Sequence, residues 1–320
     1  MRRMDRRYRV WFEGTAPVAE LPADVDLVDG PASAEAAIVG SATRWDGAAC
    51  RRFPDLKVVV RRGIGFDNVD VAACAAHGVA ACNAPDAPTV STAEHALTLL
   101  LAVSKRLKSA ERRLREGDGL VGTPAAVGGI ELDGRTLGLI GCGRIGRRLG
   151  GYAEALGVRV LAHDPHLDAA PVGRLVALEE IWASADIVSL HAPATPATRH
   201  LVNATSLAAM RPGVVIVNCA RGSLVDHDAL LAALESGHVA GAGLDVTDPE
   251  PLPADHPLLH RDDVLVTPHV ASGTTAGTER LVTQALAQSL VWLRGGTPEH
   301  LLDPAAADPA VDRRHRSGID

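Results

Sequence analysis

Three residues that could bind an anion or move a proton, Arg221, Glu250 and His269, each follow an apolar run typical of a buried strand. Each also has an ordinary alternative role, since Arg221 could be a surface cation and the chain holds 39 acidic residues and 13 histidines. In open α/β sheets, ligands bind outside the carboxyl ends of the strands, so the three loops are expected at one sheet edge. Together they form a candidate reaction centre.

A glycine turn at the start of a predicted helix is expected at the same edge. Gly141, Gly143 and Gly146 have Gly-x-Gly-x-x-Gly spacing between an apolar run at 136–140 and a helical pattern at 144–156. The first glycine allows a tight turn, the second lets a pyrophosphate approach the backbone, and the third lets helix and strand pack closely. The helix N-terminus offers unpaired N–H groups and a positive dipole end to the phosphates. The segment predicts a dinucleotide site, although an ordinary strand-to-helix turn would use similar residues.

An acid at the end of the next predicted strand supports the dinucleotide interpretation. Asp164 follows the apolar run 158–162, about twenty residues beyond the glycines, where a carboxylate accepts hydrogen bonds from ribose hydroxyls. A nicotinamide bound at this edge would lie beside Arg221, Glu250 and His269, a combination suited to hydride transfer to a carbonyl. The residues expected to contact the cofactor lie in the glycine turn or directly after strands: Gly141, Gly143, Arg144, Ile145, Gly146, Asp164, His191, Pro193, Cys219 and Ala220.

A second glycine turn, with Gly63 and Gly65, follows an apolar run at 56–60. Two glycines at a strand end leave backbone N–H groups free to face a ligand. This segment has two interpretations: a plain turn, or a ligand site contacted by Arg62, Ile64 and Gly65. Arg62 has the alternative of pointing to solvent or pairing with a nearby acid such as Asp67.

Strand and helix patterns alternate along the whole chain, which predicts parallel βαβ units. Residues 90–108 read as one long helix, 117–129 as a glycine-rich loop, and 305–320 as a loosely held tail.

The composition is that of a globular enzyme, with 320 residues, 47% hydrophobic and 22% charged. A net charge of -7 without a long basic run does not favour a nucleic-acid partner. The longest apolar stretches are too short to span a bilayer, so no membrane partner is expected. Five cysteines without close pairing suggest free thiols and predict a cytoplasmic location.

These motifs resemble the D-isomer-specific 2-hydroxyacid dehydrogenase family. The resemblance covers most of residues 56–275 in the family's order. The matching segments are 63–70 (GIGFDNVD), 93–95 (AEH), 137–146 (LGLIGCGRIG), 218–226 (NCARGSLVD), 243–246 (GLDV), 249–251 (PEP) and 267–269 (TPH).

The resemblance implies an α/β fold with two wound parallel-sheet domains. A Rossmann NAD-binding domain, here residues 101–287, is inserted in a flavodoxin-like substrate domain formed by residues 1–100 and 288–320. It also implies a homodimer with NAD as cofactor and no metal.

The resemblance further implies an NAD-dependent oxidoreductase that acts on the CH-OH group of a small 2-hydroxy acid or reduces the corresponding 2-keto acid. His269 resembles the acid/base, Glu250 the carboxylate that holds its ring, and Arg221 the residue that binds the substrate carboxylate and polarises the keto oxygen. Asp245 resembles the acceptor for the nicotinamide carboxamide, and the turn at 63–65 resembles a backbone cradle for the substrate carboxylate.

The substrate stays open at this point. Residues 243–259 look like glyoxylate/hydroxypyruvate reductases, whereas 63–70 and 218–222 look more like phosphoglycerate dehydrogenases. Arg62 stands where the family often has a small or apolar residue, and this departure bears on substrate choice. Two alternatives remain: a phosphonate- or phosphite-type dehydrogenase, and an NAD-sensing corepressor similar to the C-terminal-binding protein.

Overall fold

The computed structural model describes residues 6–14, 20–117 and 128–303. The chain divides into two compact units, Met1–Pro88 with Gly273–Asp320, and Thr89–Ser272. The tail predicted at 305–320 and most of the loop predicted at 117–129 lie outside the described residues. No helix in the described part of the chain is both long and apolar enough to cross a membrane.

The regular elements alternate as the sequence predicts. The strands are β1 Tyr8–Phe12, β2 Val25–Leu27, β3 Ala36–Val39, β4 Val58–Arg61, β5 Ala80–Asn83, β6 Thr136–Ile140, β7 Arg159–His163, β8 Arg174–Leu175, β9 Ile187–Leu190, β10 Val214–Asn218, β11 Val239–Leu244 and β12 Val264–Val266. The α-helices are α1 Gly47–Arg52, α2 Val71–Ala76, α3 Thr89–Ser104, α4 Leu107–Arg115, α5 Arg144–Ala155, α6 Leu178–Ser184, α7 Ala204–Ala209, α8 His227–Glu235, α9 Pro257–His260 and α10 Thr275–Leu293.

The first unit contains a five-stranded parallel sheet in the order β2-β1-β3-β4-β5. Its strands are apolar on both faces because both faces are covered, as is usual for parallel sheets. One face packs against α10 through residues such as Ile38, Val60 and Leu286, and the other against α1 and α2 through residues such as Val39 and Val59. The predicted strands of this unit are therefore confirmed.

The second unit contains a seven-stranded parallel sheet in the order β12-β11-β10-β9-β6-β7-β8. Helices α3 and α5 pack on one face and α6, α7 and α8 on the other. The strand order changes direction between β6 and β9, which is where open α/β sheets form a ligand crevice beyond the strand ends. The two-sheet α/β fold predicted from the sequence is confirmed.

The two compact units meet at 88/89 and 272/273, whereas the boundaries predicted from the sequence are 100/101 and 287/288. Whole helices account for the difference. α3 packs along its length on β10, β11 and α5 of the second unit, whereas α10 packs on β3, β4 and β5 of the first. A boundary inside either helix would cut through one apolar face.

The single helix predicted over 90–108 is wrong, since α3 ends at Ser104 and α4 begins at Leu107. The Ser104 carbonyl, which would accept the N–H of residue 108 in a continuous helix, instead accepts the N–H of Ile130 at 2.9 Å. Arg106 takes a left-handed conformation with φ of 54° and turns the chain. The Lys108 Nζ then donates to the carbonyls of Leu259, Arg261 and Val264.

Candidate active site

The glycine turn after β6 has the geometry that its spacing predicts. Gly141 has φ of +90°, and a Cβ there would lie 2.7 Å from the His191 carbonyl carbon. A Cβ on Gly146 would lie 2.2 Å from the Gly141 oxygen, so this glycine allows α5 to pack against the turn. A Cβ on Gly143, by contrast, would meet nothing within 4 Å. The second glycine therefore faces open space at the N-terminus of α5, where a pyrophosphate would approach.

Asp164 lies directly after β7 and is attached to the same turn. Its Oδ2 accepts the N–H of Cys142 at 3.0 Å, and its Oδ1 accepts the N–H of His166 at 3.0 Å. These contacts fix the carboxylate beside the glycine turn.

The predicted residues after β9 and β10 lie at this edge too, and two of them are uncharged at neutral pH. His191 donates its N–H to the Ile140 carbonyl at 2.7 Å, and desolvation lowers the pKa of its ring to about 4. Burial raises the pKa of the Cys219 thiol, so that it stays protonated. Pro193 and Ala220 complete this part of the edge.

His269 and Glu250 are in direct contact. The ring Nδ1 of His269 lies 2.7 Å from Oε1 of Glu250, and about a third of each side chain is exposed (30% and 39%). Because Nδ1 is engaged by the carboxylate, Nε2 is the ring nitrogen through which a proton would reach a ligand. The His269 backbone is left-handed, with φ of 54°, a conformation that is uncommon for a residue with a Cβ.

Arg221 lies on the loop after β10, which packs closely on the loop after β11. The Asn218 side chain accepts the N–H of Ala220 and donates to the Arg221 carbonyl, and the Arg221 Nη1 donates to the Ala220 carbonyl at 2.7 Å. A Cβ on Gly222 would lie 2.0 Å from the Thr247 carbonyl carbon. Only a glycine allows this approach, which brings the Arg221 loop against the segment that leads to Glu250.

Asp245 is almost completely buried, with 1% of its surface exposed. Burial by itself raises its pKa, but hydrogen bonds from His95, Thr267 and the N–H groups of Val270 and Ala271 outweigh that effect and hold the pKa below its usual value. Asp245 therefore stays ionised and anchors the loop that carries His269. The sequence predicted a contact to the cofactor for this residue, but not this anchoring.

The glycine turn after β4, in the first unit, presents backbone donors. The carbonyls of Arg62, Gly63 and Ile64 accept hydrogen bonds from Arg61, Ala84 and Asn83 respectively. Within the described residues, the N–H groups of Ile64 and Gly65 donate to no protein acceptor. The turn thus directs its N–H groups, rather than its carbonyls, to a ligand.

Two arginines, Arg61 and Arg62, directly precede this turn, and only Arg62 was predicted from the sequence to contact a ligand. Arg62 is half-buried and donates from Nη2 to the Glu13 carbonyl at 3.3 Å, an arrangement different from both of its predicted alternatives. Arg61 is 8% exposed, and its guanidinium lies over Gly63, where a Cβ would come 1.6 Å from Nη1. The sequence does contain a signal for Arg61, since it ends an otherwise apolar strand. A cation buried there must be paired or hydrogen-bonded, which marks it as a candidate functional residue.

Comparison with known proteins agrees with this geometry. Residues 97–271 match the model of the D-isomer specific 2-hydroxyacid dehydrogenase NAD-binding domain. The chain is 42% identical over 273 residues to the D-3-phosphoglycerate dehydrogenase of Mycobacterium leprae, covering 81% of this chain and 51% of that protein. It is 41% identical over 260 residues to the (S)-sulfolactate dehydrogenase of Chromohalobacter salexigens, covering 80% of this chain and 83% of that one.

A solved structure matches nearly the whole fold. The TT0316 protein from Thermus thermophilus superposes with a TM-score of 0.84 at 36% identity, covering 92% of this chain and all of that one. The chain spans about half the length of the phosphoglycerate dehydrogenases it matches. The chain belongs to the D-isomer specific 2-hydroxyacid dehydrogenase family, and its second unit contains the NAD-binding domain of that family.

Proposed function

We propose that the protein is an NAD-dependent oxidoreductase that interconverts a small 2-hydroxy acid and its 2-keto acid. The observation that carries this proposal is the His269–Glu250 contact at the sheet edge that also bears the glycine turn. NAD bound at this edge would supply the hydride acceptor for oxidation at the substrate C2, and NADH would supply the hydride for reduction. The first unit then serves as the substrate domain and the second as the cofactor domain.

Three side chains do the remaining chemistry in this proposal. In the reductive direction, His269 gives a proton from Nε2 to the substrate oxygen as the hydride reaches C2, and in the oxidative direction it takes the proton back. Glu250 holds the ring through Nδ1 and so directs Nε2 to the ligand. Arg221 binds the substrate carboxylate and polarises the keto oxygen.

The residues of the second unit fit the proposed cofactor. The open space at Gly143 accommodates a pyrophosphate, which the N–H groups at the start of α5 would bind, with Arg144 and Ile145 beside it. Asp164 is placed for the ribose hydroxyls. His191, Pro193, Cys219 and Ala220 would line the sheet edge toward the nicotinamide, and we propose Asp245 as the acceptor for its carboxamide.

We expect NAD(H) to be preferred over NADP(H). The carboxylate of Asp164 would repel a 2′-phosphate, by roughly 1 kcal/mol at 4 Å in water and about 4 kcal/mol at an intermediate dielectric. The preference in kcat/KM should therefore be at least about fivefold. Asp164→Ser should reduce it, with Asp168→Ser as the matched control outside the turn. Equal kcat/KM for NADH and NADPH in the wild type would contradict the role given to Asp164.

We further propose that the substrate carries a second anionic group. The phosphoglycerate and sulfolactate dehydrogenases that the chain resembles are named for acids that bear a phosphate or a sulfonate as well as a carboxylate. The turn at 63–65 offers N–H groups for one anion, and two arginines flank it. An arginine fork is suited to a carboxylate, a sulfonate or a phosphate.

The test is NADH oxidation with a panel of 2-keto acids. We expect 3-phosphohydroxypyruvate or sulfopyruvate to be turned over with higher kcat/KM than pyruvate or glyoxylate. Arg62→Ala should raise KM for the doubly charged substrate about tenfold to a hundredfold, because a charge-assisted hydrogen bond is worth roughly 1.5–3 kcal/mol. Arg51→Ala, on the exposed side of α1, is the control. Equal small effects on every substrate would exclude Arg62 from the pocket, and no turnover of any keto acid would exclude the proposed activity.

We propose that the protein is a cytoplasmic homodimer. All five cysteines are free thiols, which suits a reducing compartment. Helix α4 has no buried residue, and it exposes Leu107 and Leu114, which lie seven residues apart on one face. Such a face suits a second copy of the chain, and light scattering or sedimentation would determine the mass in solution.

A further inference from the structure

A hydrogen-bonded network of three side chains, His95, Thr267 and Asp245, links helix α3 to the loop that carries His269. We call it the His95 network. The Nε2 of His95 lies 2.9 Å from Oγ1 of Thr267 and 3.4 Å from Oδ1 of Asp245, and the Thr267 hydroxyl donates to Oδ1 of Asp245 at 2.6 Å. Because the ionised carboxylate only accepts hydrogen bonds, the Thr267 proton points to Asp245. The Thr267 oxygen then accepts from His95, which fixes the ring with its proton on Nε2.

Asp245, at the end of the His95 network, accepts hydrogen bonds from three consecutive backbone N–H groups of the next loop. Its carbonyl accepts the N–H of His269 at 2.8 Å. Its Oδ1 accepts the N–H of Val270 and its Oδ2 that of Ala271, both at 2.9 Å. These bonds fix the backbone conformation at and after His269. The left-handed φ of 54° at His269 requires such support.

The close packing of α3 on β11 places His95 within reach. A Cβ on Gly243 of β11 would lie 2.8 Å from the Cβ of Leu99, so the glycine lets the helix lie directly on the strand. His95 precedes Leu99 by one helical turn on the same face and therefore lies near the carboxyl end of β11, where Asp245 follows. Its side chain is mostly buried, with 21% exposed.

We infer that His95 is a positioning residue for His269, acting through Thr267 and Asp245. The inference rests on the proposed role of His269 as acid/base. Without the His95 donor, the Thr267 hydroxyl is free to rotate away from Asp245, and the His269 loop loses part of its anchor. A displacement of about 1 Å at a reacting group is enough to reduce turnover by roughly a hundredfold.

The kinetic test uses five single variants of the 320-residue chain and compares kcat with KM and with the Kd for NADH. His95→Leu and Thr267→Val should each lower kcat about tenfold to a hundredfold, because the acid/base is misplaced rather than removed. KM and the NADH Kd should stay within about threefold. His95→Gln and Thr267→Ser, which keep a donor and a hydroxyl, should retain most of the wild-type kcat. Thr98→Val, on α3 but outside the His95 network, is the matched control.

The double variant His95→Leu/Thr267→Val should have about the same kcat as the slower single variant, because both changes disrupt the same His95 network. Multiplicative losses would overturn the inference, as would an increase in NADH Kd with kcat unchanged, which would assign His95 to the cofactor.

Hydrogen exchange followed by mass spectrometry provides a readout that does not depend on activity. The amides of His269, Val270 and Ala271 should exchange about tenfold faster in His95→Leu and Thr267→Val than in the wild type or Thr98→Val, because local opening becomes easier. Unchanged exchange would overturn the inference even if the proposed activity is correct. If the wild type reduces no 2-keto acid, the proposed function fails, while the exchange rates still decide whether His95 anchors the loop.

Discussion

His269→Ala should lower kcat for 2-keto acid reduction by about 10²–10⁴-fold, the usual contribution of a positioned general acid. The substrate oxygen would have to take its proton from water, because no other proposed catalytic group carries a transferable proton. The Kd for NADH, measured by quenching or transfer of fluorescence, should change little, since the ring contacts Glu250 and not the glycine turn.

The controls separate loss of the proton donor from loss of structure. His260→Ala removes another histidine, whose ring contacts the Ala254 carbonyl, and kcat should stay near the wild-type value. Glu250→Gln keeps the shape of the partner but removes its charge, so it should lower kcat by less than His269→Ala. Wild-type turnover in His269→Ala would remove this histidine from the mechanism.

The sequence predicted most of the fold because the relevant signals are local. Parallel strands buried on both faces read as short apolar runs, and those at 56–60, 136–140 and 158–162 match β4, β6 and β7. The short elements β2, β8, α1 and α9 escaped prediction, since two to six residues do not establish a period. The break between α3 and α4 also escaped, because the competing donor to Ser104 is Ile130, 26 positions along the chain.

The candidate site was predictable where it depends on motifs, but not where it depends on long-range contacts. The loops of Arg221, Glu250 and His269 could be placed from strand order alone, because carboxyl ends of parallel strands share an edge. The anchoring role of Asp245 could not be predicted from the sequence, since its hydrogen-bond donors come from positions 95, 267, 270 and 271. Arg62 departs from the family pattern, whereas in the folded chain the more buried of the two arginines is Arg61.

The second glycine of the turn after β6 allows cofactor binding to be separated from folding. Gly143→Val should raise the Kd for NADH at least about a hundredfold, because a side chain in the space beside the turn keeps the pyrophosphate from the N–H groups of α5, and each lost charge-assisted hydrogen bond costs roughly 1.5–3 kcal/mol. The thermal midpoint without cofactor should stay near that of the wild type, since a Cβ on Gly143 meets nothing within 4 Å.

Gly146→Val is the matched comparison. A Cβ on Gly146 would lie 2.2 Å from the Gly141 oxygen, so this variant should lose stability as well as NADH binding. Calorimetry with and without NADH distinguishes the two effects, because a ligand that binds only the folded state raises the midpoint, and a tighter ligand raises it more. A Gly143→Val protein whose midpoint still rises with NADH as much as that of the wild type would place the pyrophosphate elsewhere. A Gly143→Val protein that unfolds like Gly146→Val would show instead that the space beside Gly143 is needed by the fold.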